Sequence, residues 1–177
     1  MTPIAQTFYG ELEDEAANTR KMLEALPDAS FGWQPHEKSM TLGKLAAHVA
    51  EAHEWIADTV NTDGFDFATF EYKAPTVSNG KELLALFDKN LQKAKDALNG
   101  VKADDIWMRD WVMKTGDEIH MQMPKIQCLR GMCFNHIYHH RAQLSVYLRL
   151  LDQPVPGMYG PSRDEELAMS ATQGATA

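Results

Sequence analysis

The sequence predicts a mainly all-α domain: a four-helix bundle with a long crossover between helices 2 and 3 and a small β-hairpin between helices 3 and 4. Three observations carry this fold class. Four stretches repeat apolar residues at the spacings of one helical face. Residues 62–79, TDGFDFATFEYKAPTVSN, hold aromatics with no helical phase and a proline, the pattern of a connection. Residues 106–123, IWMRDWVMKTGDEIHMQM, place two apolar runs around the turn signal KTGDE, the pattern of a hairpin.

The first helix spans roughly 3–26, with Ile4, Phe8, Leu12, Met22 and Leu26 on one face, and Asp28 and Ser30 mark the break after it. Ser39 or Thr41 caps the second, whose stripe is Leu42, Leu45, Val49, Ile56 and Val60; it stops between Asn61 and Gly64. Ser78 or Asn79 caps the third, which carries Leu83, Phe87, Leu91, Ala94 and Leu98 up to Asn99 and Gly100. The fourth follows Pro124 and runs from Lys125 to Leu151 on the stripe Ile126, Leu129, Cys133, Ile137, Leu144 and Leu151. From Asp152 onward the chain is rich in Pro and Gly and then in small residues, which predicts an extended tail. Residues 1–165 then form one bundle domain and 166–177 a flexible tail.

Bulk properties narrow the function. A chain of 177 residues suits a single core, and 44% apolar with 24% charged residues is an ordinary globular balance. No apolar run approaches the ~20 residues that span a bilayer, which argues against a membrane partner. The opening MTPIAQTFYGELEDE lacks a basic segment followed by an apolar one, so a cytoplasmic location is expected. With 25 acidic and 17 basic residues the net charge is −8, and the cations are scattered, so no nucleic-acid footprint exists. Cys128 and Cys133, five apart on one helix, point in different directions if that helix is unbroken, and predict no disulfide.

Candidate chemistry concentrates in NHIYHHRAQL, residues 135–144. At 100° per residue, His136 and His140 lie about 40° apart on the stripe that enters the core, whereas His139 falls off it and is expected at the surface. Burying two imidazoles requires partners for four ring nitrogens, and a metal ion supplies two of them. A further ligand has to come from elsewhere, and helix 2 offers His48 and His53. Helical phase favours His53, which runs with Leu42, Val49 and Ile56, while His48 is about 100° from the stripe's centre, on the flank of Ala52 and Trp55. The residues by themselves leave that choice open.

Other residues have plainer readings. Thr19 fits a solvated edge, and Glu15 stays open between that and the cavity. Glu11, Glu13 and Asp14 fit a solvated face, and Trp107 and Trp111 are packing residues. Cys133, one turn before His136, offers a minor further ligand. Phosphate loops, GxSxG and HExxH are absent from the sequence. Glu51 and Glu54 around His53 approach a di-iron motif but have no counterpart in helix 4.

Together these elements resemble the DinB/YfiT-like family of bacterial metal-dependent enzymes. TLGKLAAHVAEAHEW at 41–55, NHIYHHRAQLSVYLRLLDQPVP at 135–156 and MYGPSRDE at 158–165 carry the likeness, in order, across helix 2, helix 4 and the tail. The resemblance implies a bundle that binds a divalent metal through three histidines: His48, from L-x-x-H-V-A, with His136 and His140. His53 then falls behind the ligands or at the surface. Zinc or nickel is the expected ion, with iron or copper as alternatives. The resemblance also implies a small-molecule substrate, a homodimer and, by analogy with relatives that use bacillithiol or mycothiol, transfer of a low-molecular-weight thiol to an electrophile. The alternative is a metal-binding stress or interaction protein without turnover. Arg141 is expected to pair with a neighbouring helix and Gln143 to hydrogen-bond inside the bundle.

Overall fold

The structure, a computed structural model, describes residues 1–174. Helices α1 (Pro3–Glu24), α2 (Leu42–Asn61) and α3 (Gly80–Gly100) form three sides of the bundle. The fourth side is one long helical rod made of α4 (Lys125–Cys128), a π turn (Leu129–Phe134) and α5 (Asn135–Leu150). Polar side chains start the helices as the sequence requires. Thr2 accepts from the Ala5 amide ahead of Pro3, Thr41 from the Lys44 amide, and Asn79 from the Glu82 amide. The open cap choices thus fall to Thr41 and Asn79.

The stripes close into two apolar clusters stacked along the bundle. One gathers Phe8, Leu12, Ile56, Leu98, Trp107, Leu129, Phe134 and Ile137. The other gathers Met22, Leu42, Leu45, Leu83, Phe87, Leu144 and Leu148. The helices bury polar side chains as well: Thr19 on α1, His53 on α2, Asn90 on α3 and Arg141 on α5. Trp107 and Trp111 pack in the interior as expected.

The hairpin forms between β2 (Asp110–Thr115) and β3 (Glu118–Pro124), turning at Gly116 with φ 58° and carrying a register shift at Met113/Lys114. The crossover adds a strand that the sequence does not announce. β1 (Gly64–Asp66) pairs parallel with β2, Gly64 opposite Val112. A Cβ at Gly64 would stand 2.1 Å from the Val112 carbonyl oxygen, so this approach requires glycine. Asp66 accepts from the Gly116 and Ala68 amides and ties the crossover to the hairpin turn.

Two expectations need correction. The fourth helix is not a uniform α-helix, because the π turn at Leu129–Phe134 widens it. The segment after Asp152 is not extended throughout, since Arg163–Gly174 forms helix α6. A reciprocal cap starts that helix: the Ser162 hydroxyl accepts from the Glu165 amide, and the Glu165 carboxylate accepts from the Ser162 amide. Asp164, Glu165 and Glu166 in the first turn also suit the helix dipole. Arg149 and Lys21 anchor it through Asp164 and Glu165. Of the predicted flexible tail, 166–174 is helical, and the last three residues lie outside the described residues.

Candidate functional site

His48 projects from α2 toward α5, where His136 and His140 occupy successive turns. One ring nitrogen from each of the three lies within 4.8 Å of the others, and all three side chains are half-buried. The Nε2 atoms of His48 and His136 are 2.8 Å apart. His140 donates from Nδ1 to the Gln143 Oε1 at 2.7 Å, which leaves its Nε2 facing the same point. Trp55, two turns after His48, covers one side, its ring 5.3 Å from His48 and 4.9 Å from His136. Burial and the neighbouring imidazoles push His136 down to about 4, and burial lowers His140 as well. Both therefore present unprotonated nitrogens at neutral pH.

These donors fit a divalent cation. Tetrahedral imidazole sites with metal–nitrogen bonds of about 2.0–2.1 Å separate their nitrogens by roughly 3.3 Å, a value bracketed by the 2.8 Å contact and the 4.8 Å limit seen here. Among the described residues, three nitrogens from two rigid helices leave a side without a protein ligand.

The structure distributes the other candidates differently. His53 follows its helical phase into the core, 1% exposed, and its Nδ1–H donates to the Val49 carbonyl while the ring stands edge-on to Phe87. It is neither a ligand in the cluster nor a surface residue, because the histidines of α5 face the flank carrying His48. His139 is exposed, as its phase predicts. Cys133 does not approach the histidines; the π turn directs it, with Cys128, toward the Thr59 hydroxyl at 3.5 and 3.7 Å.

Arg141 crosses to α1, where it donates to the Glu15 carboxylate at 2.6 Å and to the Thr19 hydroxyl at 3.2 Å. Its pairing with a neighbouring helix holds, and Gln143 does hydrogen-bond as expected. Thr19 is fully buried in that network and not at a solvated edge, and Glu15 serves Arg141 and Tyr159, not the histidine cluster. Glu11 is likewise not merely solvated. It accepts from both terminal nitrogens of Arg130 and from Tyr138, and the Arg130 hydrogen bond holds its carboxyl below the usual range.

Two contributors to the site escape the sequence reading. Glu51, one turn after His48, brings Oε2 within 3.6 Å of His48 Nδ1 and accepts from the Tyr72 hydroxyl at 2.7 Å. The (i, i+3) spacing of His48 and Glu51 could have shown the first contact; nothing local in the crossover signals the second. A separate groove of about 750 Å³ lies by the C-terminal ends of α2 and α3, lined in part by Glu54, Asp58, Lys93, Asp96 and Arg109. The histidine cluster is not part of it, and Lys93 and Arg109 there are already paired with Glu54 and Asp105.

Fold and site together define a helical-bundle protein with a crossover-linked small sheet and three histidines converging from two helices. The chain belongs to the DinB family, whose model matches residues 1–173. Its relatives include the uncharacterized protein YrdA of Bacillus subtilis (strain 168), 30% identical over 159 residues, which are 89% of each chain. A DinB-like protein from Bacillus cereus ATCC 10987 superposes with a TM-score of 0.67 at 25% identity, covering 87% of this chain and 97% of that one. A member of the same family from Exiguobacterium sibiricum 255-15 gives 0.62 at 22% identity, covering 86% and 94%, and shares the fold.

Proposed function

We propose that the chain is a divalent-metal-dependent enzyme in which His48, His136 and His140 hold the ion, and which joins a low-molecular-weight thiol to an electrophilic small molecule. The observation that carries this reading is the convergence of three imidazole nitrogens on one point from two helices, with a side left unligated. When bound, the ion supplies Lewis acidity that lowers the pKa of a thiol or water at that open side. The protein's own residues prepare the place. Gln143 fixes the tautomer of His140, Trp55 excludes water from one flank, and burial keeps His136 and His140 neutral. In the overall reaction the thiol gives up its proton to solvent, a carbon–sulfur bond forms, and the leaving group departs with its electron pair. The sequence holds no phosphate-loop motif to compete with this reading, and a net charge of −8 does not favour nucleic acid.

Two measurements test the proposal. Elemental analysis of purified variants should show that His136→Ala or His140→Ala removes most bound metal while His139→Ala removes almost none; equal loss from all three would overturn the ligand set. Zinc- or nickel-loaded protein, given a panel of biological thiols and monochlorobimane, should form conjugate faster than the metal-free protein. No acceleration with any thiol, from protein that binds metal, would leave a metal-binding protein without this activity.

A further inference from the structure

Glu51 is a buried carboxylate, 8% exposed, in the middle of α2. Its neighbour Glu54 is paired with Lys93, but among the described residues no Lys or Arg nitrogen comes within ion-pair distance of Glu51. Its contacts are the Tyr72 hydroxyl at 2.7 Å and the Nδ1 of His48 at 3.6 Å. An ionised carboxylate in such a place is costly unless a positive charge faces it. The group it faces is an imidazole whose other nitrogen points into the three-histidine cluster.

We infer that Glu51 is a positioning residue for the metal, acting through His48, and that Tyr72 holds its carboxylate in place. This rests on the metal reading proposed above. Across a 3.6 Å separation that is an electrostatic contact and not a hydrogen bond, the Glu51 carboxylate favours the proton of His48 on Nδ1, so that Nε2 presents its lone pair to the ion. It also sets a carboxylate beside a site whose three imidazoles are neutral ligands. The three ligands are therefore oriented in different ways: His48 by a carboxylate, His140 by the neutral amide of Gln143, and His136 by the Trp55 ring. Tyr72 lies on the crossover, 46% exposed as a residue, while its hydroxyl turns inward to Glu51. The crossover is thus coupled to the strength of metal binding without offering a ligand.

A role confined to fastening the crossover to α2 is separable from this one. Glu51→Gln keeps an acceptor for Tyr72 and removes the charge; Tyr72→Phe keeps the charge and removes the fastening. The affinity of each metal-free protein for Zn²⁺ is read by competition with a chromogenic chelator, and the ligand field by the visible absorption of the Co²⁺ form. Glu51→Gln should weaken Zn²⁺ binding by roughly 10–100-fold and shift the Co²⁺ bands, with the urea midpoint of the metal-free protein unchanged or raised. Tyr72→Phe should weaken Zn²⁺ binding less than Glu51→Gln does. Wild-type binding with Glu51→Gln within threefold of it, or a loss confined to Tyr72→Phe, overturns the positioning role and leaves the metal site standing. Failure of the wild type to bind Zn²⁺ overturns both.

Discussion

His48 and His53 sit five positions apart on one helix and meet opposite environments. His53 is surrounded by apolar packing and Asn90's helix, so burial pushes its imidazole down to about 4 from an ordinary 6.5. The folded state therefore binds this proton less readily than the unfolded chain. Stability from this group is fully present above pH 6.5 and is lost as pH falls toward 4. For metal-free protein the loss due to His53 is roughly 2 kcal/mol on going from pH 7 to pH 5. Urea denaturation at the two pH values should show this loss, and a His53→Gln variant should show that much less of it. Identical pH dependence in both proteins would mean that folding leaves the His53 pKa where it is in the unfolded chain. Arg141, 3% exposed, is the complementary case: its charge is kept because Glu15, Thr19 and Tyr159 all meet it.

At the scale of elements, the rod facing α2 shows why periodicity succeeds and then stops. Leu129, Cys133, Ile137 and Leu144 are buried as their phase predicts. Five residues of α-helix, however, advance about 500°, which would leave Cys128 and Cys133 some 140° apart. The wider π turn closes that gap and brings both thiols to Thr59. The spacing of apolar residues does not report such a turn, because it is set by what α2 presents. Helix α6 was hidden for a different reason. Its composition is that of a tail, and only the reciprocal cap of Ser162 and Glu165, with Lys21 and Arg149 reaching across, makes it a helix. Glu165→Ala should therefore raise hydrogen exchange in α6 by roughly tenfold and leave the amides of α2 and α5 as they are. Unchanged exchange in α6 would show that the cap does not hold it.

Across the whole molecule, two apolar clusters fill the bundle, and the histidine site lies where α2 faces α5. The site joins α2 to the long rod, two elements 88 positions apart at His48 and His136. An ion held there is bound by the folded chain far better than by the unfolded one. Zinc at about 100 times its dissociation constant should stabilise the protein by about 2.7 kcal/mol, a rise in Tm of roughly 5–10 °C for a chain of this size. Calorimetry with zinc and with a chelator checks this; protein that binds zinc with no change in Tm would mean that the unfolded chain binds the ion as well as the fold does, which a site joining α2 to α5 excludes.

The sequence by itself determined the bundle, its crossover and hairpin, and the pairing of His136 with His140 against His139. Those features depend on local spacing, which a 3.6-residue period and short turn signals encode directly. It did not decide between His48 and His53 by phase, because a helix in a bundle has two interior flanks and phase ranks only the more apolar one; the resemblance to a family pointed to His48. Tertiary structure alone decided that His48 meets the α5 pair while His53 caps no ion, that Tyr72 reaches Glu51 from the crossover, and that Thr19 and Glu11 are partnered. Each of these depends on a contact between residues far apart in the chain, and the chemistry of one segment does not specify which face of another will be laid against it.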